Sequence, residues 1–419
     1  MKDINYDVAV IGAGPAGLAA AASAKENGAK KVVVIERDFR PGGILEQCVH
    51  AGFGLKYFNE ELSGPEYAMR FIKKCENDGI EFMVDTMVLN IDSKEMVIHA
   101  VHKKGLVEIH AGAIILAMGC RERTRQQIQI PGSRPAGIYT AGTAQRFCNV
   151  QNHIVGNKIV IVGSGDIGMI MARRMTLEGS EVKGVFEIMP YLAGLTRNRV
   201  QCLDDFGIPL YLSHTVIDID GKYRVKKVTV AKVDENKKPI PGTEFDVECD
   251  TVLLSVGLIP ENEVSKTAGV RLDPITKGPV VDNTMMTNVS GIFACGNVVH
   301  VNDLVDNVSR ESELAGKSAA AYAAGAQAAE ETLQVEPGDF VRYVVPQVID
   351  RKASEDVRMF FRATEPMQDV VIQVKSGDKV LSRRKKQFVN PGEMDNIRVK
   401  AENLADAAGS GVTVSIVRQ

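Results

Sequence analysis

The sequence predicts an α/β chain of two Rossmann-like three-layer domains followed by a small, mostly β C-terminal domain. Three observations carry this. The chain opens with a strand, a glycine turn, a helix and a strand; the same arrangement returns at residue 158; and after residue 336 the pattern changes to short β-rich segments.

Residues 6–11 are apolar, 18–25 are alanine-rich and 31–35 are β-branched, which together read as one βαβ unit. Residues 158–187 repeat it, with a strand at 159–162, a glycine turn, a helical stretch at 169–177 and a strand at 181–186. A short apolar strand ending in glycine closes each half, at residues 113–119 and again at 251–257. Proline and glycine cluster at 129–135, and Pro260 follows the second closing strand, so the crossings between domains fall near these points. The expected domains are therefore residues 1–123 with 258–335, residues 124–257, and a tail of residues 336–419. A helix rich in alanine, from about 311 to 332, would return the chain to the first domain. In the tail, strands are expected at 342–349, 357–362 and 370–374, with turns at Ser376-Gly377-Asp378 and Asn390-Pro391-Gly392.

Composition narrows the function classes. A chain of 419 residues with 45% apolar and 25% charged residues has the makings of several globular cores. The net charge of −3 and the scattered basic residues argue against nucleic acid as a partner. No run approaches the ~18 to 20 apolar residues of a membrane-spanning helix. The N-terminus also lacks the charged, apolar and small-residue order of a signal peptide, so the expectation is a cytoplasmic protein. Seven scattered cysteines without a C-x-x-C pair suggest neither a disulfide framework nor a metal site.

The chemistry is concentrated in the two glycine turns. Gly12-Ala13-Gly14-Pro15-Ala16-Gly17 follows a strand and opens a helix, and Glu36 stands 24 residues after Gly12 at the end of the next strand. In such a turn the first glycine allows the bend, the second lets backbone approach a pyrophosphate and the third packs helix on strand. The helix N-terminus then faces the anion, and the acid accepts hydrogen bonds from ribose hydroxyls. Gly163-Ser164-Gly165-Asp166-Ile167-Gly168 repeats the form, with Glu187 at the same 24-residue offset from Gly163. A carboxylate there repels a 2'-phosphate and pairs with a free 2'-hydroxyl, which favours NAD over NADP. Arg197 and Arg199 nearby are the alternative phosphate partners, or simply solvated charges.

On these linked motifs the first 330 or so residues resemble the glutathione-reductase-like flavoproteins with two dinucleotide-binding domains. The resemblance implies FAD at the first loop and NAD(H) at the second. By it, FAD would be held by Gly12, Gly14, Pro15, Ala16, Gly17, Glu36, Arg37, Gly42 and Gly43, by Ala117 and Gly119 at the closing strand, and by Gly296 and Asn297 in the late segment Gly291-Ile292-Phe293-Ala294-Cys295-Gly296-Asn297. The family usually has aspartate where Asn297 stands. NAD(H) would be held by Gly163, Gly165, Asp166, Ile167, Gly168, Glu187 and Gly257. Many members reduce disulfides through a cysteine pair beside the flavin. Here Cys48 stands in that region, but Ala51 and Phe53 occupy the places of a second cysteine. Cys48 is thus a candidate single-cysteine redox centre, as in NADH peroxidases and oxidases, or a small packing residue. His50 is a candidate proton donor at the flavin, or a bland neighbour.

Gly42-Gly43-Ile44-Leu45-Glu46-Gln47-Cys48, Gly119-Cys120-Arg121-Glu122-Arg123 and Pro131-Gly132 through Gly137-Ile138-Tyr139-Thr140-Ala141-Gly142-Thr143-Ala144-Gln145 sharpen the resemblance. The last two are similar to the flavoprotein subunits of opine oxidase, hydrogen cyanide synthase and sarcosine oxidase. The whole, with Asn302-Asp303-Leu304-Val305-Asp306, is most similar to an FAD/NAD oxidoreductase associated with anaerobic-type glycerol-3-phosphate dehydrogenase. This implies an electron-transfer component that works with a partner dehydrogenase subunit or with a small-molecule donor or acceptor. The alternatives are a stand-alone NADH oxidase using Cys48 and a mainly structural docking component. Gly316-Lys317-Ser318 looks like part of a P-loop, but Glu311 replaces its required first glycine. The basic run at 383–386 reads as the solvated side of a strand or turn, or as a docking surface for an acidic partner.

Overall fold

The β-branched run at Val32–Ile35 is buried at every position, and a strand covered on both faces belongs inside a parallel sheet. In the computed structural model, which describes residues 3–407, 409 and 411–418, that strand lies against Asp3–Ile11 in a seven-stranded sheet. Asp3–Ile11 pairs in parallel with both Val32–Ile35 and Gly105–Leu116, and Ile292–Ala294 adds in parallel beyond Gly105–Leu116. The strands Thr86–Asp92 and Val97–His102 extend the sheet with antiparallel partners. The helix Pro15–Glu26 buries an almost unbroken series of alanines. Small side chains allow the helix Val305–Ala323 to come close, so that a Cβ on Gly316 would lie 2.1 Å from the carbonyl oxygen of Ala20. Gly316 is thus a packing glycine in mid-helix, and the segment 316–318 has no strand-to-helix turn to hold a phosphate.

This long helix differs from the expected one, beginning at Val305 and ending at Ala323. Gly325 follows with φ +102°, a left-handed conformation that stops the helix despite the alanines and glutamates beyond it. The tail then starts with the strand Thr332–Pro337.

The chain divides into two compact units: residues 1–120 with 260–419, and residues 121–259. The tail falls in the first unit and builds two sheets. One runs in the order Val348–Asp350, Thr332–Pro337, Gly411–Arg418, Met367–Ser376, Lys379–Val389; the other joins Val341–Val345, Val357–Ala363 and Asp395–Val399. Leu333, Met359, Phe361, Ile372, Val414 and Ile416 anchor a core of its own, while Tyr343 and Val345 belong to the core of the N-terminal sheet. The basic run lies in Lys379–Val389, where alternation sends Arg384 and Lys386 onto buried Asp395 and leaves Arg383 and Lys385 in solvent.

The second unit has a five-stranded parallel sheet in the order Ile138–Thr140, Thr251–Leu254, Lys158–Val162, Glu181–Glu187, Leu210–Leu212. Alternation splits its strands between two cores. Ile159, Ile161 and Leu253 meet Met169 and Met171 of the helix Asp166–Leu177, whereas Val160, Val162 and Leu254 meet Val216, Val228 and Val230 of an antiparallel ribbon. The third layer of this unit is therefore β rather than helical.

Among the described residues no helix is long and apolar enough to cross a membrane, and no cluster of His, Cys, Asp or Glu could hold a metal ion.

Candidate nucleotide-binding sites

In the first unit the strand Asp3–Ile11 runs out at Gly12, whose φ is +105° and whose added Cβ would sit 2.5 Å from the carbonyl oxygen of Ala117. Only glycine fits there. At Gly17 a Cβ would fall 1.8 Å from the carbonyl oxygen of Gly12, so the helix turns directly on the loop. Gly14 differs: an added Cβ would meet nothing within 4 Å, which leaves that side of the loop open to a ligand. Pro15 stands in the first turn of the helix, where its missing N–H costs nothing.

Glu36 is buried at the end of Val32–Ile35, and its carboxylate closes the loop. Oε2 accepts the N–H of Ala13 at 2.8 Å and Oε1 accepts the N–H of Asp38 at 2.8 Å. Each oxygen keeps lone-pair capacity for a ribose hydroxyl. The N–H of Gly42 returns to the carbonyl of Ala13 at 2.8 Å, and a Cβ on Gly43 would lie 2.7 Å from the Cα of Gly14. The late segment comes back to the same place. Ile292–Ala294 pairs with Gly105–Leu116, after which a Cβ on Gly296 would sit 2.7 Å from the Cβ of Ala16. The N–H of Gly296 donates to Glu311 at 2.7 Å, and Asn297 accepts the N–H of Asn302 at 2.9 Å through Oδ1. Gly119 has φ +72° just past Ala117. Arg37 points to solvent. The open flank at Gly14, the Cβ-free backbone around it and the buried acid fit the pyrophosphate and ribose of a dinucleotide.

Cys48 follows the short turn Gly43–Gln47, with its Sγ donating to the carbonyl of Ile44 at 3.3 Å. It is buried, and burial pushes its thiol up to about 12. Such a thiol holds its proton at neutral pH. His50 lies 3.1 Å through Nδ1 from the carbonyl of Ala51, its ring 5.0 Å from that of Phe53.

The second unit repeats this skeleton. A Cβ on Gly163, where φ is +91°, would lie 2.2 Å from the carbonyl oxygen of Ser255, the residue after Thr251–Leu254. Glu187 is buried; Oε2 accepts the N–H of Ser164 at 2.7 Å and Oε1 the N–H of Met189 at 2.9 Å. Here, though, the hydroxyl of Ser164 also donates to Glu187 at 2.8 Å and accepts the N–H of Ala193 at 2.9 Å. The space beside Gly165 is filled as well, since its Cβ would come 2.9 Å from the hydroxyl of Ser255, which accepts the N–H of Gly168 at 3.0 Å. Asp166 braces the following segment, its Oδ1 accepting the N–H of Leu195 at 2.8 Å and Asn198 Nδ2 at 2.7 Å. Ile167 packs against the helical core of the unit, and Gly257 takes φ +100°. Arg197 and Arg199 are exposed, Arg199 lying 3.5 Å from Asp204.

Four further residues shape the loops and were not singled out from the sequence. Ser164 occupies the position between the first two glycines, and Ser255 follows its strand as Ala117 follows the other; both were legible from the repeat. Glu311 and His300 were not, because their link to Gly296 is made through space. Two phrases of the second unit also meet. Glu122 accepts the N–H of Gly142 at 2.8 Å, placing its carboxylate on the N-terminus of the helix Ala141–Gln151.

A family model described as pyridine nucleotide-disulphide oxidoreductase matches residues 6–328. The chain belongs to this family. The family is one of FAD-dependent oxidoreductases that use NAD(P)H. Thioredoxin reductase of Bacillus subtilis (strain 168) is 27% identical over 302 residues, 70% of this chain and 86% of that protein. One of the subunits of opine oxidase from Agrobacterium tumefaciens (strain Ach5) is 24% identical over 318 residues, 70% of this chain; the match spans 61% of that relative, less than two thirds of its length. Among solved structures, T. acidophilum thioredoxin reductase superposes with a TM-score of 0.62 at 24% identity, over 76% of this chain and 98% of that one, a likeness of fold. The tail lies beyond the residues that the family model matches.

Proposed function

We propose that this chain passes electrons between NADH and a partner dehydrogenase subunit by way of FAD, as a component of a heteromeric dehydrogenase of the glycerol-3-phosphate or amine and opine type. The observation that carries this reading is the setting of Cys48. Its thiol is buried and pushed up to about 12, and Ala51 and Phe53 stand where a second cysteine would be needed. A disulfide-reducing route and a single-thiolate route both want a reactive sulfur, which this environment opposes. Electrons reaching the flavin then leave to another acceptor. The likeness to the opine oxidase protein, which by its name is one subunit of a larger enzyme, supports a protein partner.

FAD held at the first loop would supply hydride acceptance from reduced nicotinamide and onward electron transfer. The chain's own residues bind and orient. The backbone at Gly12, Gly14 and Gly17 would hold the FAD pyrophosphate and Glu36 its ribose, with Gly296 and Asn297 as further FAD-holding residues. At the second loop the backbone at Gly163, Gly165 and Gly168 would hold the pyrophosphate of the nicotinamide nucleotide, and Glu187 would pair with a free 2'-hydroxyl, favouring NADH over NADPH. Hydride transfer itself asks no side chain for a proton.

Anaerobic titration with NADH should bleach the flavin absorbance, and an unchanged spectrum would refute the reading. Glu187→Arg should shift preference toward NADPH. Co-purification of a glycerol-3-phosphate, amine or opine dehydrogenase subunit would establish the partner class; a fully active chain without one would remove it.

A further inference from the structure

The nucleotide loops leave the C-terminal β domain without a role. We propose that this domain is a clamp on the flavin-binding turn, with Arg362 as its positioning residue. The strand Val357–Ala363 turns Met359 and Phe361 into the domain's own core, which leaves Phe360 and Arg362 on the opposite face. That face meets residues 300–303, the stretch following Gly296 and Asn297.

Arg362 is the centre of the contact. Its guanidinium ion-pairs with Asp303, and it also donates to the carbonyl of Val301 at 3.1 Å, to the hydroxyl of Tyr343 at 3.2 Å and to the carbonyl of Pro391 at 3.3 Å. The second oxygen of Asp303 accepts the N–H of Met394 at 2.5 Å. Both side chains of the pair are only 14% exposed. A planar fork with donors pointing several ways can hold a carboxylate and two carbonyls together, which an ammonium on a flexible stem cannot. Beside it, Phe360 and Tyr343 lie edge-on to the ring of His300 at 5.8 and 6.3 Å.

These contacts run on into the turn. His300 Nε2 lies 2.7 Å from one oxygen of Glu311, whose other oxygen takes the N–H of Gly296 at 2.7 Å. His300 and Glu311 are almost wholly buried, so the ring cannot shift without disturbing the carboxylate that fixes Gly296. A second path runs from Asp303 through its neighbour Asn302, whose N–H binds the Oδ1 of Asn297. The groups that fix both residues of the turn, the Glu311 carboxylate and the Asn302 N–H, are therefore held in place by the tail. Loss of Arg362 would leave Asp303 as a buried carboxylate without its cation, and the stretch carrying it would move to reach water.

The test is FAD binding by the full-length apoprotein, followed by FAD fluorescence quenching, with the flavin midpoint potential measured on the loaded protein. Arg362→Ala should weaken FAD binding by about tenfold or more and shift the potential. Asp303→Asn should change both in the same direction, with Arg362→Lys recovering only part of the loss. In the double variant Arg362→Ala with Asp303→Asn, the effects should fall short of their sum. If Arg362→Ala fails to fold, Asp303→Asn decides the matter. A folded Asp303→Asn or Arg362→Ala protein with unchanged FAD affinity and potential would overturn the proposal. These readouts involve neither NADH nor a partner subunit, so the clamp and the proposed electron route fail separately.

Discussion

The two glycine loops share a skeleton and differ in what braces it. In each, the residue between the first two glycines gives its N–H to a buried strand-end acid: Ala13 to Glu36 at 2.8 Å, Ser164 to Glu187 at 2.7 Å. In each, a later glycine N–H returns to that residue's carbonyl, from Gly42 at 2.8 Å and from Gly194 at 3.0 Å. The first loop stops there. Alanine adds no further bond, and the flank of Gly14 has nothing within 4 Å of an added Cβ. The second loop is cross-braced by the hydroxyls of Ser164 and Ser255, and Asp166 ties down the segment that follows. One backbone motif can thus be held by a strand-end acid and main-chain bonds or stiffened further by hydroxyl side chains. The middle glycines differ too: an added Cβ meets nothing within 4 Å at Gly14 but lies 2.9 Å from the hydroxyl of Ser255 at Gly165.

The comparison breaks most visibly at the glycines. Gly17→Ala would drive a Cβ to 1.8 Å from a backbone oxygen and should cost about 3 kcal/mol or more, seen in urea unfolding together with loss of FAD. Gly14→Ala should separate the two effects, leaving apoprotein stability within ~1 kcal/mol while FAD affinity collapses. Equal destabilisation by both would mean that Gly14, too, is a packing glycine. Ser164→Ala removes one buried and one part-buried hydrogen bond and should cost ~1 to 3 kcal/mol in urea unfolding, whereas Ala13→Ser should bring no matching gain. Gly165→Ala should cost ~1 kcal/mol and recover when Ser255→Ala is added, since the two share one space.

The smallest effect is expected at Cys48. Its folded pKa of about 12 stands above the ordinary 9.0, so folding favours the protonated thiol. Its contribution to stability is full below 9 and is lost as pH rises through 9 to about 12. At pH 8, iodoacetamide should therefore leave Cys48 unmodified in the folded protein while the half-exposed Cys120 reacts. Rapid alkylation of Cys48 would reopen the single-cysteine route.

Much of the first site was legible because its signals are short in range. A glycine that must bend, an apolar strand before it and an acid at the end of the next strand are set by neighbours and by a fixed repeat, which is why Gly12, Glu36, Gly163 and Glu187 could be named from their spacing. The expected helix at 311–332 shows where local reading ends. Alanine content carries a helix forward in either direction; the helix instead begins at Val305, and Gly325 ends it at Ala323. Arg37, Asp166 and Ile167 share the motif's positions, yet their side chains face solvent, a bracing role and the core respectively.

By itself the sequence determined the two glycine loops, their acids and the order of strand and helix around them, since these follow from periodicity and from conformations only glycine adopts. Tertiary structure alone decided which distant side chains close on those loops. Ser255 reaches Gly165 because its strand pairs beside Lys158–Val162, Glu311 reaches Gly296 because a long helix packs on alanines, and Arg362 reaches Asp303 because the tail lies against the stretch after Gly296 and Asn297. Contacts of that kind depend on how strands pair and layers stack, and no local pattern records them.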